Sequence, residues 1–325
     1  MNMKYGKLSI TILCPVYNES ENVERFVSEF SRVIKSADSR YSFEFLFADN
    51  CSTDNTVDRL VKLQHQYTNI RLIKYSRNFG VMKSIFTGIL NSNSKACAVF
   101  DCDLQDPPEL LLEFIKQWES GAKIVYGIRR KRDEGYIIGF LRMRYRQIET
   151  YLKGYKITIE SGAWFLDERV VQELRATPFE PYLSGLIARL GFKSVGVPYD
   201  RRARLHGQSK FGFVKYFSYA TDGLVSGTIA PLRIAVFSGV ILSLMSFLLG
   251  GYFVVAKLFL GIPFATGVAA IIVILLFGFS LTFLFLGVVG EYVGRLYLAK
   301  ESSQLAIIEE KYPISNSSST PEINQ

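Results

Sequence analysis

Asp101 and Asp103 are the residues in this chain best suited by type and spacing to do chemistry. They stand in Ala96-Cys97-Ala98-Val99-Phe100-Asp101-Cys102-Asp103-Leu104-Gln105-Asp106-Pro107-Pro108-Glu109. There an apolar run ends in two carboxylates one residue apart, and the Pro-Pro pair stops any continuation. The run reads as a buried strand, and ligands of open α/β sheets gather in the crevice beyond the strand ends. Two carboxylates facing such a crevice repel each other unless a cation lies between them. A hard divalent ion, held by one or two carboxylates and the oxygens of a diphosphate, meets that need. The competing reading is a solvated acidic turn, because D-x-D spacing alone does not separate the two.

The elements that must position this pair follow from the pattern upstream. Leu8–Cys14 reads as a first strand ended by Pro15, and Ser20–Ile34 has helical spacing through Val23, Phe26, Val27, Phe30 and Ile34. Phe43–Ala48 is a second strand ended by Asp49, with a helix start at Ser52-Thr53-Asp54. Ile70–Tyr75 is a third strand, followed by Arg77-Asn78-Phe79-Gly80 and a helix to Leu90. Helix 108–119 and strand 123–126 come after the run ending at Asp101. This alternation predicts a mostly parallel α/β sheet with helices on both faces. Asn18-Glu19, Asp49 and Asp101/Asp103 then fall along one sheet edge, and that convergence favours the metal reading.

Composition narrows the class. Hydrophobic residues make up 49% of the 325 and charged ones only 21%, with a mean hydropathy of +0.16. That balance predicts a polar domain joined to a very apolar one. The net charge of +8 fits an anionic partner. Four cysteines without a C-x-x-C pair, and only two histidines, argue against zinc and fit a reducing compartment. No cleaved signal peptide is expected at the start.

From Ile128 onward arginines and lysines (Arg129, Arg130, Lys131, Arg132, Arg142, Arg144, Arg146) interleave with Tyr136, Phe140, Leu141 and Met143. A membrane-surface helix needs such a pattern, and an ordinary solvated helix tolerates it. Residues 161–174 read as a strand leading into a helix, and 182–191 as another helix. Arg201-Arg202-Ala203-Arg204-Leu205-His206-Gly207-Gln208-Ser209-Lys210 is a basic loop suited to gripping phosphates. An aromatic amphipathic stretch then leads into two uncharged spans, Ile234–Ala256 and Phe264–Val289. At ~1.5 Å per residue each exceeds the ~30 Å hydrocarbon core. Arg233 and Arg295 at the outer ends, against Lys257 in the connecting loop, favour a cytoplasmic body. The expected organisation is a catalytic domain over 1–210, an interfacial segment over 211–230, two membrane helices within 231–297 and a cytoplasmic tail over 298–325 that is polar after Tyr312.

Five motifs occur in order: Pro15-Val16-Tyr17-Asn18-Glu19, Ser52-Thr53-Asp54, Arg77-Asn78-Phe79-Gly80, Asp101-Cys102-Asp103-Leu104-Gln105-Asp106-Pro107-Pro108-Glu109 and Gly207-Gln208-Ser209-Lys210. With Pro231-Leu232-Arg233 and Gly290-Glu291-Tyr292-Val293-Gly294-Arg295 they resemble the family 2 glycosyltransferases that load a sugar onto a polyprenyl phosphate. These are the dolichyl-phosphate-mannose-synthase-like and bacterial GtrB-like enzymes. The resemblance implies a GT-A (Rossmann-like) fold, a nucleotide-sugar donor such as a UDP-sugar, Mg2+ or Mn2+, and a polyprenyl (undecaprenyl) phosphate acceptor. It also implies a multi-pass protein of the inner membrane with its catalytic domain in the cytoplasm.

Carried over by residue, Asp101 and Asp103 meet the metal and diphosphate, and Pro15, Tyr17, Glu19 and Asp49 line the nucleotide pocket. Arg201, Arg204, Ser209 and Lys210 hold phosphates of donor or acceptor; Arg204 and Lys210 are counted with the aspartates as catalytic. Two departures stand out. Asp49-Asn50-Cys51-Ser52 replaces the family's Asp-Asp-Gly-Ser, and Gly162-Ala163-Trp164-Phe165-Leu166 replaces Gly-Asp-Phe-Arg-Leu. Glu160 is the nearest carboxylate to the second gap.

Three rivals are weighed against this reading. A processive polysaccharide synthase needs a Gln-x-x-Arg-Trp motif that neither Trp118 nor Trp164 completes. A catalytically silent membrane scaffold is countered by the retained aspartates. A nucleic-acid-binding module rests on net charge alone, and the basic residues cluster beside membrane-facing stretches. Association into a homo-oligomer is open to two such spans, but no motif sets the number.

Overall fold

Strands β1 (Leu8–Val16), β2 (Tyr41–Asp49) and β4 (Ala96–Val99) are apolar runs buried along most of their length, as befits strands covered on both faces. Strand β3 (Ile70–Tyr75) lies beside them. The computed structural model describes residues 7–130, 163–178, 182–202, 267–302 and 305–313, with scattered positions at 140–151 and 232–259. Between the first four strands run helices α1 (Val23–Lys35), α2 (Thr56–Gln66) and α3 (Val81–Leu90). Then follow α4 (Leu110–Glu119), β5 (Ile124–Arg129), β6 (Trp164–Asp167), α5 (Glu168–Arg175), α6 (Leu183–Arg189) and β7 (Ser194–Tyr199).

The eight-stranded sheet has the order β7-β5-β6-β4-β1-β2-β3-β8, its last member being β8 (Ile308–Tyr312). β4, β1, β2 and β3 run parallel, β6 runs antiparallel between β4 and β5, and β8 pairs antiparallel with β3. Period-two alternation divides the core. Ile10, Ile12, Cys14, Phe45, Phe47, Ala96 and Ala98 belong to one cluster; Leu13, Leu46, Ala48, Cys97 and Val99 belong to the other. On the first face α1 buries Phe26 and Phe30, and Phe30 meets Phe100 edge-on. On the second, α3 approaches β1 so closely that a Cβ on Gly88 would stand 2.6 Å from Leu13 Cδ1. A Gly88→Ala substitution is therefore expected to lower the melting temperature, read by thermal unfolding.

Near the C-terminus, helix α7 (Val268–Ser302) spans 35 residues. Within it Phe277–Gly294 is the one stretch among the described residues long and apolar enough to cross a membrane. Its Phe277, Phe279, Phe283, Leu284 and Leu286 are all exposed. A helix apolar all round needs lipid or protein to cover it. The first expected span lies largely outside the described residues, though the described positions at 236–239, 241, 244, 245 and 248 are helical.

After α7 the chain returns to the sheet. Ala306 N–H donates to Thr87 Oγ1 at 3.0 Å, and Ser76 N–H donates to the Ile307 carbonyl at 3.0 Å. Residues 302–325 accordingly group with 1–226 in one unit, and 227–301 form the other. The segment expected as a tail from 298 thus contains a strand of the sheet. β7 likewise escaped the sequence reading, because Ser194-Val195-Gly196-Val197-Pro198-Tyr199 contains Gly and Pro, which demote a strand on pattern alone.

Candidate active site

β4, β1 and β2 are adjacent and parallel, so their C-terminal ends open onto one edge. The loops there carry Asp101 and Asp103, Tyr17 to Glu19, and Asp49 to Ser52. Each loop holds one non-glycine residue in the left-handed region: Leu104 (φ +54°), Asn18 (φ +55°) and Cys51 (φ +63°). Such conformations cost about 1 kcal/mol or more each and persist only where surrounding bonds over-determine them. Around Asn18 and Cys51 those bonds are present. Asn18 N–H donates to Ser52 Oγ (2.9 Å), and Asn18 Oδ1 accepts Thr53 N–H (2.8 Å). Glu19 N–H donates to Thr56 Oγ1 (2.9 Å), and Glu19 Oε2 accepts from Asn22 Nδ2 (2.6 Å). Asp49 is fully buried and accepts both the N–H and the hydroxyl of Ser52, so it closes this turn. Pro15 and Tyr17 are half-buried at the end of β1.

Charge is concentrated at Asp101. Burial, then the neighbouring carboxylates Asp106 and Asp103, push its carboxyl up to about 7, against the pull of Arg201 and Arg129. Burial also drives the Cys14 thiol well up and the Cys102 thiol up, which disfavours the reactive thiolate in both; each lies in the fields of Asp101 and Glu19. Among the described residues no group of three or more His, Cys, Asp or Glu is arranged to hold a metal ion. Asp101 and Asp103 offer hard oxygens whose mutual repulsion a divalent cation relieves. The hard oxygens of this pair fit a divalent cation such as Mg2+ or Mn2+.

Two arginines face this cluster. Arg201, expected from the basic loop, stands with its Nε 3.7 Å from Asp106 Oδ1. In the sequence Arg129 is one member of a basic run. The structure brings it from the end of β5 toward Asp101, with its Nε donating to Tyr199 Oη at 3.3 Å. No spacing rule pairs position 129 with 101; the antiparallel insertion of β6 between β5 and β4 does so. Arg204, Ser209, Lys210 and Glu160 lie outside the described residues. Ala163 is buried just before β6, and its carbonyl accepts Gly127 N–H at 3.2 Å.

The profile of the glycosyl transferase family 2 matches residues 11–174, half of the chain. Uncharacterized glycosyltransferase YkcC of Bacillus subtilis is 31% identical over 312 residues, 95% of this chain and 96% of its own. This chain is a family 2 glycosyltransferase. It is also similar to the bactoprenol glucosyl transferase of Shigella phage SfII, at 28% identity over 94% of this chain and 99% of that one. Among solved structures, glucosyl-3-phosphoglycerate synthase of Mycobacterium tuberculosis in complex with Mn2+, UDP-glucose and phosphoglyceric acid aligns with TM-score 0.50 and 16% identity. It covers 68% of this chain and 79% of that one. The shared fold is GT-A.

In this glycosyltransferase the departure at Asn50 has a structural reason. Asn50 Oδ1 accepts Phe79 N–H (2.9 Å), while its Nδ2 donates to Asn78 Oδ1 (2.9 Å), which also accepts Gly80 N–H (2.9 Å). The side chain is 5% exposed and ties the β2 loop to the Arg77–Gly80 loop. An aspartate at position 50 would set a carboxylate oxygen against an acceptor already committed to Gly80. Asn50→Asp is therefore expected to destabilise the protein by about 1–3 kcal/mol, measured by denaturant unfolding.

Proposed function

We propose that this glycosyltransferase moves a sugar from a nucleotide-sugar donor, a UDP-sugar, to a polyprenyl phosphate at the cytoplasmic face of the membrane, with inversion at the anomeric carbon. The observation that carries the reading is the juxtaposition of Asp101 and Asp103 with Arg129 and Arg201, a charge arrangement matched to a diphosphate with a bound cation. The similarity to a bactoprenol glucosyl transferase over nearly all of both chains supports the lipid acceptor. The apolar helix α7 supports a membrane setting, and a second span over Ile234–Ala256 would make the protein multi-pass.

The missing carboxylate at Ala163 fits this acceptor. A sugar hydroxyl needs a general base to become a nucleophile. A phosphate monoester, with a second pKa near ~6, is already largely dianionic at neutral pH. An acceptor phosphate oxygen can then attack the anomeric carbon directly as the bond to the nucleoside diphosphate breaks. Mg2+ or Mn2+, when bound by Asp101 and Asp103, supplies Lewis-acid stabilisation of the leaving diphosphate. Arg129 and Arg201 add positive charge where negative charge grows in the transition state. Pro15, Tyr17 and Glu19 form the nucleotide end of the pocket, Asp49 acts from behind them by holding the Ser52 turn, and Arg204, Ser209 and Lys210 complete the phosphate grip.

Membranes carrying the protein, given labelled nucleotide sugars and undecaprenyl phosphate with and without chelator, test this. One donor is expected to label the lipid, and chelator to abolish labelling. If no donor labels the lipid the acceptor reading fails; if labelling survives chelation the metal role fails.

A further inference from the structure

We infer that Asp106 and Tyr199 are positioning residues that hold Arg129 and Arg201 against the Asp101 carboxylate and so set where a diphosphate is gripped. The inference rests on the nucleotide-sugar reading above for the identity of that diphosphate.

Asp106 lies three residues beyond Asp103, in the loop that Leu104 turns through the left-handed region. It is 3% exposed, and a buried carboxylate must be matched by donors or cations. Its Oδ1 accepts the Tyr199 hydroxyl and faces Arg201 Nε at 3.7 Å, while its Oδ2 has no hydrogen-bond partner among the described residues. The direction of this chain of bonds matters. A Tyr199 hydroxyl proton committed to Asp106 turns an oxygen lone pair to Arg129, whose Nε–H it accepts at 3.3 Å. Arg129 is thereby fixed through Nε, and among the described residues nothing bonds its two terminal nitrogens, which can take an anion.

The exit of β7 is fastened to the same loop on either side of Asp106. Arg202 N–H donates to the Gln105 carbonyl (2.9 Å), and the Arg202 guanidinium donates to Glu109 Oε2 (2.9 Å). Both fastenings are made by Arg202, the residue directly after Arg201. Tyr199 is itself 5% exposed and pairs in register with Arg129 across β5 and β7. One buried carboxylate and one phenol therefore join three separate pieces of chain: the aspartate loop, the end of β5 and the basic segment after β7. A displacement of about 1 Å in such a grip is enough to cost 100-fold in rate.

The test uses the full-length protein in detergent with inorganic pyrophosphate and Mn2+, binding read by calorimetry and folding by thermal unfolding. Asp106→Asn keeps the volume, and Tyr199→Phe keeps the ring, so each checks the other if one folds poorly. Each is expected to weaken pyrophosphate binding about 10-fold or more with little change in melting temperature. Arg201→Lys introduced into the Asp106→Asn protein is expected to add less than it does alone, because the aspartate acts through that arginine. The inference is overturned by any of four results. These are wild-type protein that does not bind pyrophosphate, variants that bind it as wild type does, losses that track loss of folding, and losses that add independently in the double variant. Wild-type protein that binds pyrophosphate but transfers sugar from no donor would overturn the proposed function and leave the positioning role standing.

Discussion

Replacing Asp101 with asparagine is expected to abolish sugar transfer while making the metal-free protein more stable above neutral pH. The two effects have one cause. Burial and the charges of Asp106 and Asp103 hold the Asp101 carboxyl near 7, against an ordinary value of 3.8. The folded state thus binds a proton that the unfolded chain has lost. Stability tied to the neutral carboxyl is fully present below about pH 4 and is lost as pH rises through 7. Asparagine cannot ionise, so it keeps that stability, about 2–4 kcal/mol at pH 8. In chelator at pH 8 the Asp101→Asn protein should therefore melt several degrees above wild type, and added Mn2+ should raise the wild type preferentially. Transfer should fall about 1,000-fold, because charge stabilisation of the leaving diphosphate is lost. A variant that melts lower than wild type in chelator would make Asp101 a structural residue. Asp103→Asn should share the loss of transfer.

Ending the chain before Leu305 is expected to lower the melting temperature by about 10 °C or more and to promote aggregation. The truncation removes β8, whose pairing with β3 covers that sheet edge, and Ala306, which is buried against Thr87. Gln64 Nε2 loses the Pro313 carbonyl (3.1 Å), and Lys74 loses Glu309 and Glu310 (3.3 Å each). An uncovered parallel edge strand is a template for pairing with other chains. Thermal unfolding and sedimentation of the truncated protein check this. Unchanged melting would show that β8 contributes nothing to the catalytic unit.

β8 also marks a limit of pattern reading. Ile308-Glu309-Glu310-Lys311-Tyr312 has three consecutive charged residues and follows a long apolar helix, so nothing local distinguishes it from a solvated tail. Only the free edge of β3, with Lys74 opposite the glutamates, makes it a strand. The same holds for the meeting of Arg129, Tyr199 and Asp106, which no spacing in the sequence relates and which occurs because β5, β6 and β7 fold into one sheet.

The sequence by itself determined the parallel β1–β4 core, whose apolar runs and helical spacings are local signals. It also determined the convergence of Asn18-Glu19, Asp49 and Asp101/Asp103, because parallel strands put their C-terminal ends on one edge. Tertiary structure alone decided which cations face Asp101, how far its proton affinity is shifted, and why Asn50 stands in place of an aspartate. Each of those depends on the burial and distance of groups remote in the chain. Asp101 and Asp103 could be named from their spacing, but the field they sit in is a property of the fold.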